Sequence, residues 1–274
     1  MTAKVYSFNI GDMDCTVLLD GESSISLERF LRRFPDASEA DYRQAFNEIG
    51  QNIADARSSF NILMLKMANE TILIDAGEAG KPYGGLLLES MTLAGVSPED
   101  ISLVILTHSH GDHILGLLDT DNQPAFPNAR YVMSQEELVF WQARIESNFP
   151  EQALILAMMR QQGLRLIEMD EQIIDGITAI PLIGHTAGQI GLLIESNGEK
   201  LLHLADLLHS PIQLAHPEWS AKFDQDTTLS VPTRQNMLTY ASEQNLLTLF
   251  YHLDFPSLGY IKQDETGFKW EARQ

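Results

Sequence analysis

The sequence predicts an α/β protein built in layers, and three features of the chain support that prediction. The 274 residues are 44% hydrophobic and 20% charged, which is ordinary for a globular protein with a full core. Apolar runs of strand length alternate with segments whose apolar residues recur at helical spacing. The chain contains no internal repeat and no linker rich in proline and serine, so one domain over residues 1–274 is the simplest organisation.

The predicted strands are short, rich in β-branched residues and bounded in several places by glycine, asparagine or aspartate. Segments 68–70 and 196–198 are typical of hairpin turns. The runs on either side of each turn are therefore expected to pair. The nine predicted strands cover residues 15–19, 62–67, 71–75, 103–107, 130–133, 179–183, 191–195, 201–205 and 247–251.

Capping residues predict three of the helices. Ser134 and Glu137 form a capping-box pattern, in which each side chain bonds the other residue's free backbone N–H. The helix that follows is expected to continue to about residue 147. Ser38 is expected to cap a second helix, which Gly50 closes, and Ser230 to cap a third.

Charge and cysteine content exclude several classes of function. The chain has 18 basic and 38 acidic residues, a net charge of −20 that would repel a phosphate backbone, so no nucleic-acid partner is expected. Cys15 is the only cysteine, so a metal site would have to use histidine, aspartate and glutamate. The N-terminal residues lack the apolar run that a signal peptide needs, and no stretch is long enough to span a membrane. We therefore expect a cytoplasmic protein with no membrane partner.

The most informative stretch of the chain is His108-Ser109-His110-Gly111-Asp112-His113. It places three of the eight histidines and a carboxylate within six residues. Four predicted strands also end at a potential metal ligand: His108, His185, Asp206 and His252. Because strand ends meet at an edge of a sheet, where loops converge, these side chains are expected to form one site.

This pattern, H-x-H-x-D-H followed by a later His, an Asp and a His, resembles that of the metallo-β-lactamase superfamily of hydrolases. The resemblance implies an αββα sandwich, in which two mixed sheets lie face to face with helices on the outer faces and the metal site at one edge. The ligand set that it implies is His108, His110 and His185 for one metal ion, Asp112, His113 and His252 for a second, and Asp206 as the bridge between them.

Seven imidazole and carboxylate ligands are too many for one tetrahedral zinc ion and suit two divalent ions. Zn²⁺ is the favoured metal, although such sites also accept Mn²⁺, Fe²⁺ or Co²⁺. Two close ions activate a bridging water and polarise a carbonyl or phosphoryl oxygen, so hydrolysis by a metal-bridging hydroxide is expected. Asp112 and Asp206 are the predicted catalytic carboxylates, with Asp112 or a water protonating the leaving group.

Segments 184–189, 205–207 and 252–260 resemble the branch of methyl parathion hydrolases and N-acyl-homoserine lactonases. That likeness implies a small neutral lactone, ester or organophosphate triester as substrate, and a homodimer. Segment 27–60 is expected to be a helical cap over the active site. The residues expected to line an apolar pocket are Phe140, Trp141, Phe149, His209, Phe255 and Leu258. Ordinary helix-core packing is the alternative for Phe140 and Phe149.

Asp75 ends a predicted strand and is expected to orient a metal-binding histidine by accepting its second ring N–H. A turn-capping aspartate is the alternative. Two other functions share the ligand pattern: a thioester hydrolase similar to glyoxalase II, and a metal-binding module that has lost catalysis. The chain lacks the basic C-terminal helical segment expected of the former, and it lacks none of the seven ligands whose loss would indicate the latter.

Overall fold

Two seven-stranded sheets pack face to face in the computed structural model, which describes residues 1–80, 84–145, 150–265 and 267–273. The strands are β1 (Val5–Ile10), β2 (Met13–Ser24), β3 (Arg57–Lys66), β4 (Thr71–Ile74), β5 (Leu103–Ile105), β6 (Arg130–Ser134), β7 (Leu164–Ile167), β8 (Gln172–Ile174), β9 (Ile177–Pro181), β10 (Ile190–Ser196), β11 (Glu199–His203), β12 (Leu247–Leu249), β13 (Leu258–Asp264) and β14 (Gly267–Ala272).

The helices are α1 (Leu27–Arg33), α2 (Glu39–Glu48), α3 (Leu87–Leu93), α4 (Gly111–Ile114), α5 (Gln135–Ile145), α6 (Pro150–Gln162), α7 (Ile212–Ala215) and α8 (Thr227–Glu243). Within the described ranges, no helix combines the length and apolar character that crossing a membrane requires.

Each sheet is built from one continuous part of the chain. The first has the order β1-β2-β3-β4-β5-β6-β7, antiparallel from β1 to β4 and parallel from β4 to β7. The second has the order β14-β13-β12-β11-β10-β9-β8, in which only the β11–β12 pair is parallel. The first half of the chain therefore forms one sheet and the second half forms the other.

The core has three apolar layers, which is the arrangement of an αββα sandwich. Between the sheets lie side chains such as Val17, Leu63, Ile105 and Ile190. The outer face of the first sheet packs against α3, α5 and α6, and that of the second packs against α8. Strands covered on both faces are apolar almost throughout, as the nearly continuous burial of β3 shows. The predicted fold class is confirmed.

All nine predicted strands exist, and both predicted hairpins pair antiparallel. Five strands were missed: β1, β7, β8, β13 and β14. These lie at or next to the sheet edges, where polar residues interrupt the apolar pattern.

The helix starts were predicted correctly at Ser38 and incorrectly at Ser230. Ser38 forms a capping box with Asp41 at the start of α2. Helix α8 begins three residues before Ser230, because Asp226 Oδ1 accepts the Thr228 N–H at 2.9 Å. Ser230 lies inside that helix.

The predicted capping box at the start of α5 is only half formed. Ser134 Oγ accepts the Glu137 N–H at 3.0 Å. The Glu137 carboxylate accepts hydrogen bonds from Ser109 and Thr186 instead. A helix does follow, but the residue that should close its first turn is used elsewhere.

Helices α1 and α2 form a separate apolar cluster. Phe30, Phe34 and Tyr42 pack there against Ile212 and Ala221, which follow β11 in the chain. The Lys222 N–H also donates to the Arg33 carbonyl at 2.7 Å. The helical part of segment 27–60 is thus docked on the segment after β11. That this segment is a cap over the active site, and that the chain is one domain, stay predictions.

Candidate metal centre

The seven predicted ligands meet at one edge of the sandwich because each follows a strand. His108, His110, Asp112 and His113 follow β5; His185 lies between β9 and β10; Asp206 follows β11; His252 follows β12. Four ligands come from the first sheet and three from the second. The site therefore straddles both halves of the fold.

The carboxylate of Asp206 lies at the centre of these ligands. Its Oδ1 is 3.1 Å from His113 Nε2. Its Oδ2 is 3.0 Å from His252 Nε2, 3.4 Å from His185 Nε2 and 3.8 Å from His108 Nε2. The two oxygens of one buried carboxylate thus face histidines from both predicted metal positions.

The remaining ligand atoms form two groups around Asp206. His108 Nε2 and His185 Nε2 lie 3.1 Å and 2.9 Å from His110 Nδ1. In the second group, Asp112 Oδ2 lies 3.5 Å from His252 Nε2. Within each group the ligand atoms are all within 4.8 Å of one another: His108, His110, His185 and Asp206 in the first, and Asp112, His113 and His252 in the second.

Close backbone packing fixes the turn that carries the hexapeptide. The Ala76 N–H donates to the His113 carbonyl at 2.7 Å. A Cβ on Gly116 would lie 1.9 Å from the Ala76 carbonyl oxygen, so only glycine fits there. On the other side of the site, Ala205 has φ +42°, a left-handed conformation that is costly for a residue with a Cβ. The backbone just before Asp206 is therefore strained.

Asp75 supports two of the ligand histidines. Its Oδ2 lies 2.8 Å from His113 Nδ1 and accepts the Thr107 hydroxyl at 2.8 Å. Because the only hydrogen of that hydroxyl goes to Asp75, Thr107 Oγ1 accepts from His108 Nδ1 at 3.1 Å. Both rings then carry their proton on Nδ1, which leaves Nε2 free to bind a metal ion. Asp75 thus contacts His113 directly and His108 through Thr107.

Asp224 supports His185, and the sequence analysis missed it. Its Oδ1 lies 2.9 Å from His185 Nδ1, and its Oδ2 accepts from Arg234 Nη2 and Ser230 Oγ, each at 2.8 Å. A Cβ on Gly184 would lie 2.2 Å from the Ser230 nitrogen, so glycine lets His185 approach helix α8. No spacing rule points to Asp224, since it lies in an irregular segment.

His252 has neutral partners instead of a carboxylate. Its Nδ1 lies 3.1 Å from the Ser58 hydroxyl and 3.2 Å from the Ser59 carbonyl oxygen. The carbonyl can only accept, so Nδ1 carries the proton and Nε2 faces Asp206.

The pKa values of the site follow from burial and from the charges nearby. Burial lowers the pKa of His108 and of His110 well below the usual value. Burial would also lower the pKa of His185, but the carboxylates of Asp206 and Asp224 outweigh it and raise this pKa to about 9. For Asp206, burial raises the pKa, but the surrounding imidazoles outweigh it and hold the pKa well below its usual range. An ionised carboxylate thus sits among imidazole nitrogens.

The donor set fits divalent metal ions. His113 Nε2 and Asp206 Oδ1 are buried, and neither has a hydrogen-bond partner among the described residues. Burying polar atoms without a partner is costly, so the pair is accounted for if a cation binds between them. Imidazole and carboxylate donors suit Zn²⁺ and similar ions.

Two further histidines lie close to the ligands. His209 is buried, its Nε2 is 3.4 Å from Asp206 Oδ2, and its ring stacks on that of His252 at 5.2 Å. His209 thus lies against the proposed ligands, and its role as a pocket residue stays a prediction. His203 is buried inside β11, and neither of its ring nitrogens has a hydrogen-bond partner within the described ranges.

Two of the residues predicted to line the pocket, Trp141 and Leu258, are core residues instead. Trp141 is fully buried in the layer outside the first sheet and donates to Gln152 Oε1 at 3.0 Å. Leu258 is buried between the sheets. Neither is therefore free to form the wall of a substrate pocket. Phe140 is half-buried beneath the Arg144 guanidinium, and Phe255 packs against the inter-sheet core. Phe149 lies outside the described residues.

The fold and the ligand edge define a class of protein, and comparison with known families agrees. The family model described as the metallo-β-lactamase superfamily matches residues 60–245. The chain therefore belongs to the metallo-β-lactamase superfamily, and the prediction of a hydrolase of this class is confirmed. The match ends before the last predicted ligand, His252.

Individual relatives agree with this assignment. YobT of Bacillus subtilis (strain 168), which is described as uncharacterized, is 30% identical over 143 residues, 50% of this chain and 58% of YobT. The chain thus spans less than two thirds of that relative. Among solved structures, AidC, a dizinc quorum-quenching lactonase in complex with a product, has a TM-score of 0.91 and 27% identity, covering 99% of this chain and 98% of AidC.

A second solved structure, the hydrolase AbOPH of the β-lactamase superfamily, has a TM-score of 0.87 and 24% identity. The likeness covers 100% of this chain and 99% of AbOPH. At that identity it supports the fold alone.

Proposed function

We propose that this protein is a dinuclear zinc hydrolase of small neutral lactones or esters, with organophosphate triesters as a related substrate class. One observation supports the proposal above all others: the two oxygens of Asp206 lie between two groups of histidine nitrogens. A carboxylate shared in this way suits two metal ions with a common ligand. The likeness to AidC supports a lactone as substrate.

Each residue of the centre has a role in this proposal. The first metal ion would be held by His108, His110, His185 and Asp206, and the second by Asp112, His113, His252 and Asp206. When bound, the two ions would lower the pKa of a water molecule and polarise the substrate oxygen. Asp75 and Asp224 keep three of the ligand histidines in the tautomer whose Nε2 can bind a metal ion.

Asp112 is the carboxylate that we assign to proton transfer. Its side chain is 25% exposed, whereas that of Asp206 is 3% exposed. The Tyr251 hydroxyl holds the Asp112 backbone carbonyl at 2.5 Å, which fixes the turn and leaves the carboxylate oxygens to other partners. Asp112 Oδ can therefore take up the proton that the attacking water loses and pass it to the leaving oxygen of the opened lactone or ester.

The surroundings of His209 suggest where the apolar part of a substrate lies. The ring of Phe223, which is 41% exposed, lies 5.9 Å from that of His209. His209 in turn lies within 5.2 Å of the ring of His252. A substrate whose carbonyl lies at the metal centre would thus find an aromatic surface beside it, which suits an acyl chain.

A hydrolysis panel on metal-quantified protein tests the proposal. The panel contains N-hexanoyl-homoserine lactone, an aryl ester, a glutathione thioester and a phosphotriester. Protein with two bound equivalents of Zn²⁺ should hydrolyse the lactone or the ester. His110→Ala should abolish this activity, and His216→Ala, which changes a histidine outside the ligand cluster, should retain it.

Other outcomes would overturn the proposal in distinct ways. Cleavage of the thioester alone would indicate a hydrolase similar to glyoxalase II, since the ligand set is the same. Metal-loaded protein that hydrolyses none of the four substrates would indicate a binding module. One bound equivalent at saturation would overturn the dinuclear centre.

The partners that we propose follow from charge and chemistry. The substrate is a small molecule, because a net charge of −20 opposes the approach of a polynucleotide. We further propose that the protein is a homodimer. A monomer mass measured by light scattering coupled to size-exclusion chromatography would contradict this.

A further inference from the structure

Glu137 is a fully buried carboxylate whose partners lie on two different loops of the metal centre. Its Oε1 accepts the Ser109 N–H at 2.8 Å and the Ser109 hydroxyl at 2.5 Å. Its Oε2 accepts the Thr186 hydroxyl at 2.5 Å and the Gly188 N–H at 3.2 Å. All four contacts are donated to the carboxylate, so its acceptor positions are well used.

The two loops carry all three histidines of the first proposed metal position. Ser109 stands between His108 and His110, and Thr186 follows His185 directly. The first loop extends from β5 in one sheet, and the second connects β9 to β10 in the other. One carboxylate therefore links histidine loops that belong to different sheets.

The approach of the second loop to α5 leaves no room for a larger residue. A Cβ on Gly188 would lie 2.0 Å from the Glu137 nitrogen. The Ser134 hydroxyl donates to the Gly188 carbonyl at 2.6 Å while accepting the Glu137 N–H. The start of α5 is thus joined to the His185 loop through backbone and side-chain contacts.

We propose that Glu137 is a positioning residue, which sets the distance between the loop of His108 and His110 and the loop of His185. This inference rests on the metal centre proposed above. It goes beyond that proposal because Glu137 binds none of the ligand side chains in the structure and acts through Ser109, Thr186 and Gly188. Hydrogen bonds outside the ligand set commonly change metal affinity by about 10- to 100-fold.

Glu137→Gln is the main test variant. It keeps the size of the side chain but replaces one acceptor oxygen with an NH₂ group, which faces N–H and O–H donors. We expect the affinity for one of the two metal equivalents to fall by about 10- to 100-fold, and the visible absorption of Co²⁺ bound there to change. In metal-free protein, the Ser109 and Gly188 amides should exchange hydrogen faster.

A matched control separates this role from a loss of stability. Ile177→Ala removes core volume at the end of β9 away from His185, so it should lower the unfolding midpoint and leave metal affinity and the Co²⁺ spectrum unchanged. If Glu137→Gln does not fold, Thr186→Val removes one donor to Glu137 with little change of shape. It should lower the affinity for the same metal equivalent, by a smaller factor.

The result against Glu137 differs from the result against the proposed function. The positioning role would be overturned if Glu137→Gln binds both metal equivalents as tightly as wild type and its Co²⁺ spectrum is unchanged. The same result for Thr186→Val would overturn it if Glu137→Gln does not fold. Wild-type protein that binds two metal equivalents but hydrolyses nothing in the panel would overturn the substrate class. The metal affinities of the variants would still test the positioning role of Glu137. Wild-type protein that binds no metal would overturn both.

Discussion

Two buried aspartates, Asp75 and Asp224, support histidines of the proposed metal centre in different ways. Asp75 lies at the end of β4 and reaches His113 directly and His108 through Thr107, so it supports one ligand in each group. Asp224 lies in an irregular segment and supports His185 alone. The carboxylate of Asp75 is shared between the His113 ring and the Thr107 hydroxyl, whereas that of Asp224 is shared between the His185 ring and a cation.

The cation is Arg234, whose side chain is 1% exposed. It donates to Asp224 and also to the carbonyl groups of Leu207, Pro217 and Trp219. No Lys or Arg pairs with Asp75 among the described residues. Asp75 is therefore held by groups 32 and 38 residues away in the chain, whereas Asp224 is held by an arginine only ten residues away, on the helix that follows it.

The largest effect is expected for the ion pair. Arg234→Ala leaves the Asp224 carboxylate buried without its cation, which should lower the free energy of unfolding by about 3–5 kcal/mol. Urea unfolding measures the change. Arg130→Ala is the matched control, because Arg130 pairs with Glu70 while 49% exposed and should cost about 0.2–1 kcal/mol. Equal losses of unfolding free energy in the two variants would contradict the distinction between the buried and the exposed ion pair.

The pH dependence of metal-free protein should separate the two sides of the site. Burial lowers the pKa of His203, beside Asp75 and His113, to about 4 from 6.5. Between these values the unfolded chain binds the extra proton, so stability present above pH 6.5 is lost as the pH falls to 4. His203→Leu should remove about 3 kcal/mol of that dependence.

Asp224 should affect the stability of the protein in a lower pH window. Burial raises its pKa, but His185, His209 and Arg234 outweigh that effect and lower the pKa to about 2 from 3.8. Its stabilising contribution is therefore complete above pH 4 and is lost as the pH falls to 2. Asp224→Asn should flatten this lower window in urea unfolding. Because Asp224 also raises the pKa of His185, the variant should in addition reduce the stability that is lost as the pH rises from 6.5 to 9. An unchanged pH dependence below pH 4 would contradict the assignment.

Metal affinity should distinguish the two aspartates most directly. Asp75→Asn should weaken both metal equivalents, because Asp75 supports a histidine in each group. Asp224→Asn should weaken one equivalent only. About 10- to 100-fold is expected for each affected equivalent, measured by competition with a chelator of known affinity. Loss of a single equivalent in Asp75→Asn would show that Thr107 does not transmit the effect to His108.

The smallest effect is expected where the support is neutral and duplicated. Ser58→Ala removes one of two oxygens near His252 Nδ1, and the Ser59 carbonyl oxygen remains 3.2 Å away. The affinity of the second equivalent should therefore change by less than about 10-fold in the same competition assay. A larger loss would show that the carbonyl cannot replace the hydroxyl.

Local sequence signals predicted most of the fold and the ligands. Buried strands appear as apolar runs, and the ligands follow four such runs directly, so His185, Asp206 and His252 could be selected by position alone. Asp75 was selected for the same reason. The edge strands were missed because their residues alternate between buried and exposed positions and include charged side chains.

The residues that were missed depend on contacts between distant segments. Asp224 acquires its role only when the segment after β11 packs against α8, and Glu137 only when two loops from different sheets meet. The sequence around Glu137 predicted a capping role that a neighbouring loop displaces. Trp141 and Leu258 show the reverse error, because a large apolar side chain predicts burial but not whether a cavity lies beside it.

The division of the sandwich into two consecutive halves has a consequence for the order of events during synthesis. The hexapeptide leaves the ribosome well before β8 to β14 exist, so its histidines must wait for partners that are translated later. His252, which follows β12, is the last of the proposed ligands in the chain. A complete metal centre can therefore form only after β12 has been made, and a metal ion captured before β9 and β11 exist would have to be held by the hexapeptide alone.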